Sequence, residues 1–143
     1  MEAVLSVGSS LEHDGDQVVR YSISLANRSF AASTATWDNF GDHIQLADAL
    51  EGFPTTSSST VRYRFGTPGT GSCELDFFCI DALGHIGVWA TFESTYPAGR
   101  SEQHETARLF MRCDPATIDE FVRSLRRFAP GSTNQADLAG TSD

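Results

Sequence analysis

The sequence predicts an α+β protein: a single twisted antiparallel sheet of about six or seven strands with two helices packed on one face, in the order βββ-α-ββββ-α. Three observations predict it. Ser72–Glu93 holds two runs rich in Phe, Ile, Val and Trp on either side of Asp81-Ala82-Leu83-Gly84, where Asp can start a turn through its side chain and Gly can take a positive φ, so it reads as a β-hairpin. Most of the remaining chain alternates apolar and polar residues, as half-buried strands do, and two stretches switch to the helical period. The connections are short, which favours antiparallel neighbours.

In chain order, Ala3 to about Leu11 reads as a short or bulged strand, because Gly8-Ser9-Ser10 weaken the spacing of Leu5, Val7 and Leu11. A turn at His13-Asp14-Gly15-Asp16 leads into Gln17–Ala26, where Val19, Tyr21, Ile23 and Leu25 alternate with Arg20, Ser22 and Ser24. Phe30–Thr36 follows Asn27-Arg28-Ser29 as a third strand of small and β-branched residues. From Asp38 the period is helical, with Phe40, Ile44, Ala47 and Leu50 on one face, Asp38 as the N-cap and Trp37 as a hydrophobic staple. Val61, Tyr63 and Phe65 alternate with Arg62 and Arg64 in the next strand.

The central hairpin, paired with Ile80 opposite Ile86, would carry Phe78, Ile80, Ile86, Val88, Ala90 and Phe92 on one face. Leu75, Phe77, Cys79 and Trp89 would lie on the other, so both faces would need cover, from a curled sheet or from a second subunit. After a loop at Ser94–Ser101, His104–Cys113 returns to strand spacing. Ala107, Leu109, Met111 and Cys113 share one side, and Thr106, Arg108, Phe110 and Arg112 the other. The last helix has Asp114 as cap, Pro115 at its first position and a stripe of Ile118, Phe121, Val122, Leu125 and Phe128. Residues 1–129 form a single α+β domain on this reading, and 130–143 reads as a disordered C-terminal tail.

Composition narrows the function classes. The chain has 143 residues, 40% of them hydrophobic and 20% charged, which suits one globular domain. Its formal net charge is −9 and all 10 basic residues are arginine, which argues against nucleic acid and is compatible with a basic protein partner. No apolar run approaches the roughly 18–20 residues of a membrane helix, and the N-terminus lacks a signal-peptide pattern, so no membrane association and a cytoplasmic location are expected. Cys73, Cys79 and Cys113 lack metal or disulfide spacing and read as core thiols. The sequon at Asn27 has no meaning without secretion.

The chemical candidates are few. Asp81 and His85 would pair across the hairpin turn, but no nucleophile accompanies them. Glu74 and Asp76 share a strand face and could act as paired carboxylates in a cavity, or could simply pair with Arg62 and Arg64 across strands. Gly66-Thr67-Pro68-Gly69-Thr70-Gly71-Ser72 imitates a phosphate loop but has no lysine and leads into a strand. Glu12, Asp14 and Asp16 resemble a calcium-loop fragment without its bidentate Glu. No cofactor, metal ligand or catalytic residue is expected.

Taken together, the strands ending near Trp37, the acidic helix in TWDNFGDHIQLADALEGF, the D-x-x-G-H-I hairpin and the closing DPATIDEFVRSLRRF resemble WapI-like and related small bacterial families of immunity proteins from polymorphic toxin systems. The resemblance spans about residues 15 to 128. It implies a non-catalytic α+β protein that binds and blocks a cognate toxin, and the partner-binding residues expected on the acidic helix are Asp38, Asp42, Asp48 and Glu51. A small-molecule-binding or enzymatic domain with a pocket between sheet and helices, and an oligomeric structural protein such as a homodimer, are the alternatives.

Overall fold

Alternation decides which side of each strand turns inward, and in the computed structural model, which describes residues 2–11, 18–94 and 104–142, it does so in nearly every strand. The elements are β1 (Glu2–Leu11), β2 (Val18–Ala26), β3 (Ala31–Asn39), α1 (Asp42–Leu50), β4 (Thr60–Gly66), β5 (Ser72–Cys79), β6 (Ile86–Glu93), β7 (Thr106–Cys113), α2 (Pro115–Arg126) and β8 (Asn134–Thr141). The fold is α+β, with one antiparallel sheet of 8 strands in the order β3-β2-β1-β8-β7-β6-β5-β4. The turn at residues 13–16, the calcium-like fragment and all but the first residue of the Ser94–Ser101 loop lie outside the described residues.

Two meanders, β1–β3 and β4–β7, are joined through β8. That strand pairs with β1 from Ser9↔Asn134 to Glu2↔Thr141, but with β7 only at Arg112↔Thr141. The sheet therefore turns a corner at β7/β8, and β3 comes to lie across the strand ends of the other meander. The Thr34 hydroxyl donates to the Glu93 carbonyl at 2.9 Å, and β3 touches β4, β5, β6 and β7. The concave faces meet in one core: Leu5, Val7, Tyr21, Ile23 and Leu25 from the first half, Phe65, Leu75, Phe77, Val88 and Met111 from the second, all at most 1% exposed. α2 packs on β8 and α1 on α2, closing the core with Leu46, Leu50, Phe121 and Leu125, each fully buried. Burial on this scale is the main stabilising contribution, at roughly 25 cal/mol per Å² of apolar surface. Among the described residues no helix is long and apolar enough to cross a membrane.

α2 forms as its sequence dictates: the Asp114 carboxylate accepts from Thr117 N at 3.0 Å, the Thr117 side chain bonds back to the cap, and Pro115 needs no partner at the first position. Four expectations are corrected. Residues 130–143 are not a disordered tail, because Asn134–Thr141 is β8, with Ala136 and Leu138 buried between the two meanders, so the folded domain does not end at 129. β1 is neither short nor bulged, since it pairs with β2 without interruption from Val4 to Leu11.

α1 does not start at Asp38. Trp37 and Asp38 belong to β3, and the helix begins after Gly41, whose φ of 116° suits glycine. No side chain of α1's own N-cap bonds there; the Tyr21 hydroxyl accepts from Gly41 N at 3.2 Å and His43 N at 3.4 Å instead. The buried face is consequently His43, Leu46, Ala47 and Leu50.

The central hairpin is also one residue out of the expected register. Asp81 Oδ1 accepts from Leu83 N and His85 N, Ile80 N donates to His85 O, and Cys79 rather than Ile80 lies opposite Ile86. A one-residue slip exchanges the faces of a strand. Cys73, Leu75 and Phe77 thus join Ile86, Val88, Ala90 and Phe92 inside, while Glu74, Asp76 and Phe78 join Trp89 outside.

Candidate interaction surface

That exchange creates the most distinctive surface of the molecule. On the outer face of β4–β7 the register sets side chains in four rows: Thr60–Phe78–Gly87–Arg112, Arg62–Asp76–Trp89–Phe110, Arg64–Glu74–Thr91–Arg108 and, at the end, Gly66–Ser72–Glu93–Thr106. Neighbours within a row stand close enough for cross-strand pairs to interact. The aromatic residues form one layer. Trp89 and Phe110 have ring centroids 5.0 Å apart, and Phe78 and Phe110 6.4 Å. Gly87 permits this, because a Cβ there would stand 2.5 Å from the Phe78 ring. The Arg108 guanidinium lies over the Trp89 ring, 3.9 Å from its centroid, a cation–π contact.

The charges of the face divide into two kinds. Arg62 Nε is 2.6 Å from Asp76 Oδ1, and Arg64 Nη2 is 2.7 Å from Glu74 Oε2. With Arg62 72% and Arg64 47% exposed, solvent screens both pairs and they add little to stability. Glu74 and Asp76 are therefore not convergent acids in a cavity; they neutralise arginines on an open sheet face. Among the described residues, neither Arg108 nor Arg112 has a carboxylate within ion-pair distance. A cleft of about 490 Å³ runs between Arg62, Asp76, Phe78 and Arg108. A second, of about 310 Å³, lies between Arg108, Phe110 and the β2–β3 turn, where Phe30 is 70% exposed. Asn27 holds that turn against β7, its amide donating to the Phe110 carbonyl at 3.0 Å.

The four acids expected to bind a partner have different surroundings at the two ends of α1. Asp38 accepts from the Thr36 hydroxyl at 2.8 Å, and Asp42, in the first turn of α1, has its carboxyl pushed up by burial and by the charge of Asp38. Asp48 and Glu51, at the other end of α1, are both held by Arg126, at 3.0 and 2.9 Å. Glu51, which the helix dipole leaves unexplained, is thereby accounted for. Arg126 lies on α2, so this clamp was not visible from α1 alone.

The remaining candidates have structural explanations. His85 Nδ1 and Asp81 Oδ2 are 2.6 Å apart, and that hydrogen bond holds the Asp81 carboxyl below its usual range. Asp81 also closes the turn through two backbone N–H groups, as its position predicts. The nearby Cys113 thiol is pushed up to about 12 by burial, which leaves it protonated and unreactive. Cys73 is buried like Cys113, whereas Cys79 is only half-buried, and all three are free thiols. In the glycine-rich loop, Gly69 N donates to the Glu93 carboxylate, so the chain's own acid occupies the position an anion would take. Among the described residues no group of His, Cys, Asp and Glu could hold a metal ion.

Among the described residues, His43 carries the one buried side-chain polar atom with an unmet need. It is fully buried, with Nδ1 2.8 Å from the Tyr21 hydroxyl and its ring between Phe40 and Phe128 at 4.9 and 4.7 Å. Its Nε2 has no partner among the described residues. Burial lowers its pKa and raises that of Tyr21. The expected stripe of Phe40, Ile44, Ala47 and Leu50 leaves His43 out, whereas the buried face of α1 includes it.

Comparison with known proteins adds no family to this picture: no family model matches the chain, and neither a curated protein nor a solved structure matches it.

Proposed function

We propose that this chain is a non-catalytic binding protein of the immunity type, and that it holds a protein partner against the outer face of β4–β7. The observation that carries this reading is the layer of Phe78, Trp89 and Phe110 capped by Arg108. Trp and Arg dominate the energetics of protein interfaces, and a contiguous aromatic layer on a sheet exterior is an unusual use of apolar surface unless something covers it. A toxin is the partner class that the sequence resemblance implies.

A photo-crosslinking residue placed at Thr91, inside this face, should trap a protein in the cells of origin, and the same probe at Ser24, on the other half of the sheet, should not. The trapped protein, purified, should bind the chain in calorimetry, and coexpression should relieve its toxicity. Equal labelling from both positions, or a complex untouched by W89A/F110A, would overturn the reading.

A second reading follows from Asp38 and Asp42, since the Asp42 carboxyl is raised by burial and then by the neighbouring charge of Asp38. Such a like-charge pair suits a basic toxin surface, docked beside α1. D38N/D42N would then weaken the complex more than W89A/F110A does.

A further inference from the structure

We infer that the partner of the β4–β7 face presents side-chain carboxylates to Arg108 and Arg112, on either side of an apolar side chain packed on Phe110. This rests on the docking face proposed above. β7 sends Arg108, Phe110 and Arg112 outward at alternate positions, with the two arginines roughly 13 Å apart along the strand. The four arginines of the face are not equivalent. Arg62 and Arg64 are already engaged by Asp76 and Glu74, while Arg108 and Arg112 meet no carboxylate among the described residues. Arg108 is also held in place by the Trp89 ring beneath it. A guanidinium stacked on a ring keeps its in-plane N–H donors, and their fork matches a carboxylate.

Charge complementarity selects the occupant. In a chain of formal charge −9, this face sets four arginines against three carboxylates; Asp76 and Glu74 are taken by Arg62 and Arg64, and Glu93 by Gly69 N and His104, so the two unengaged charges are both positive. An acidic segment is attracted here and repelled by the rest of the surface, which fixes where it docks. A nucleic acid strand would also stack on Trp89, but Glu74 and Asp76 lie within the same rows and the whole chain repels a polyphosphate.

The test is selection of a displayed library of random twelve-residue peptides on the purified chain, with an oligothymidine as a second probe. Selected peptides should carry Asp or Glu flanking an aromatic or aliphatic residue, and R108Q/R112Q should weaken them at least tenfold, with R20Q, outside the face, as control. Peptides without acids, or affinities unchanged in R108Q/R112Q, would overturn the inference. So would oligothymidine binding that R108Q/R112Q abolishes, which would name a polyanion instead. If W89A/F110A abolishes peptide binding while R108Q/R112Q does not, the docking face stands and the carboxylate inference alone fails. If neither pair of substitutions matters, both fail.

Discussion

On the outside of β1, β2, β3 and β8 the register aligns mostly short side chains, Ser33, Ser24 and Ser6 in one row and Ala31, Ala26 and Val4 in the next, with one large ring, the exposed Trp37, beside Arg20. On the outside of β4–β7 the corresponding positions hold Trp89, Phe110, Phe78 and four arginines. The inner faces of the two halves are alike, each a regular alternation of buried apolar residues. Folding therefore accounts for the inside of both halves and for most of the outside of the first, where short hydroxyl and methyl groups need only water and Trp37 is one exposed ring rather than a layer. It does not account for a partly exposed layer of three aromatic rings on the second, and that difference is what supports the docking face proposed for β4–β7.

The largest expected effect is on binding. W89A/F110A should weaken the complex by at least about 2 kcal/mol, the scale of an interface hot spot, while S24A/S33A should leave affinity unchanged. Calorimetry on both variants checks it, and equal losses would erase the contrast between the halves. Next in size, Gly87→Val should destabilise the fold by about 1–3 kcal/mol, since its side chain displaces the Phe78 ring. Gly8→Ala, in the serine-lined half, places a Cβ 3.2 Å from the Asn134 carbonyl and should cost under about 1 kcal/mol. Urea denaturation of both separates the two.

Acid should sharpen the contrast in another way. His43 is neutral in the fold with a pKa below its ordinary 6.5, so the unfolded chain binds the extra proton. Stability from this group is therefore full above about pH 6.5 and is lost as pH falls below that value, by at most about 1.4 kcal/mol per pH unit. The Asp42 carboxyl, raised by burial and Asp38, acts in the opposite sense at lower pH, so the wild type minus His43→Gln difference is the relevant quantity. Tyr21, on β2, is the other titratable side chain that faces His43, and burial keeps it protonated throughout. Hydrogen exchange at pH 5 should show β2 and α1 losing protection before β5 and β6. Simultaneous loss would show that the halves open as one. The smallest effect is expected at Arg62→Gln, which should leave the thermal melt nearly where it is because its pair with Asp76 is exposed and screened by water.

Much of the fold was legible because alternation is a local signal. β2, β4 and β7 have the faces their sequences predict, and α2 has the Asp114 cap and Pro115 start that its sequence spells out. The failures lie where tertiary partners override local pattern. Asp38 is a good cap residue, yet the helix start is set by Gly41 and by a hydroxyl from β2. β8 contributes only Ala136 and Leu138 to the core, and NQADLAGT reads as a tail because its neighbours, not its own side chains, make it a strand. The interaction surface was half legible: the outward positions of Arg108 and Phe110 followed from β7 alone. That Phe78 rather than Phe77 joins them depended on a turn closed by the Asp81 side chain, which moves the register by one residue.

The position of β8 also orders events in time. Both meanders consist of hairpins between sequence neighbours and can form early, but the strand that joins them follows both in the chain. Until residues 134–141 arrive, β1 and β7 each present an unpaired edge, and the closing contacts span more than a hundred residues, as Glu2 with Thr141 shows. Long-range strand pairing of this kind is slow and leaves sticky edges exposed meanwhile. The growing chain thus passes through an interval with two half-sheets and no shared core, during which a chaperone, or a complementary strand from another chain, competes for the place that β8 finally takes.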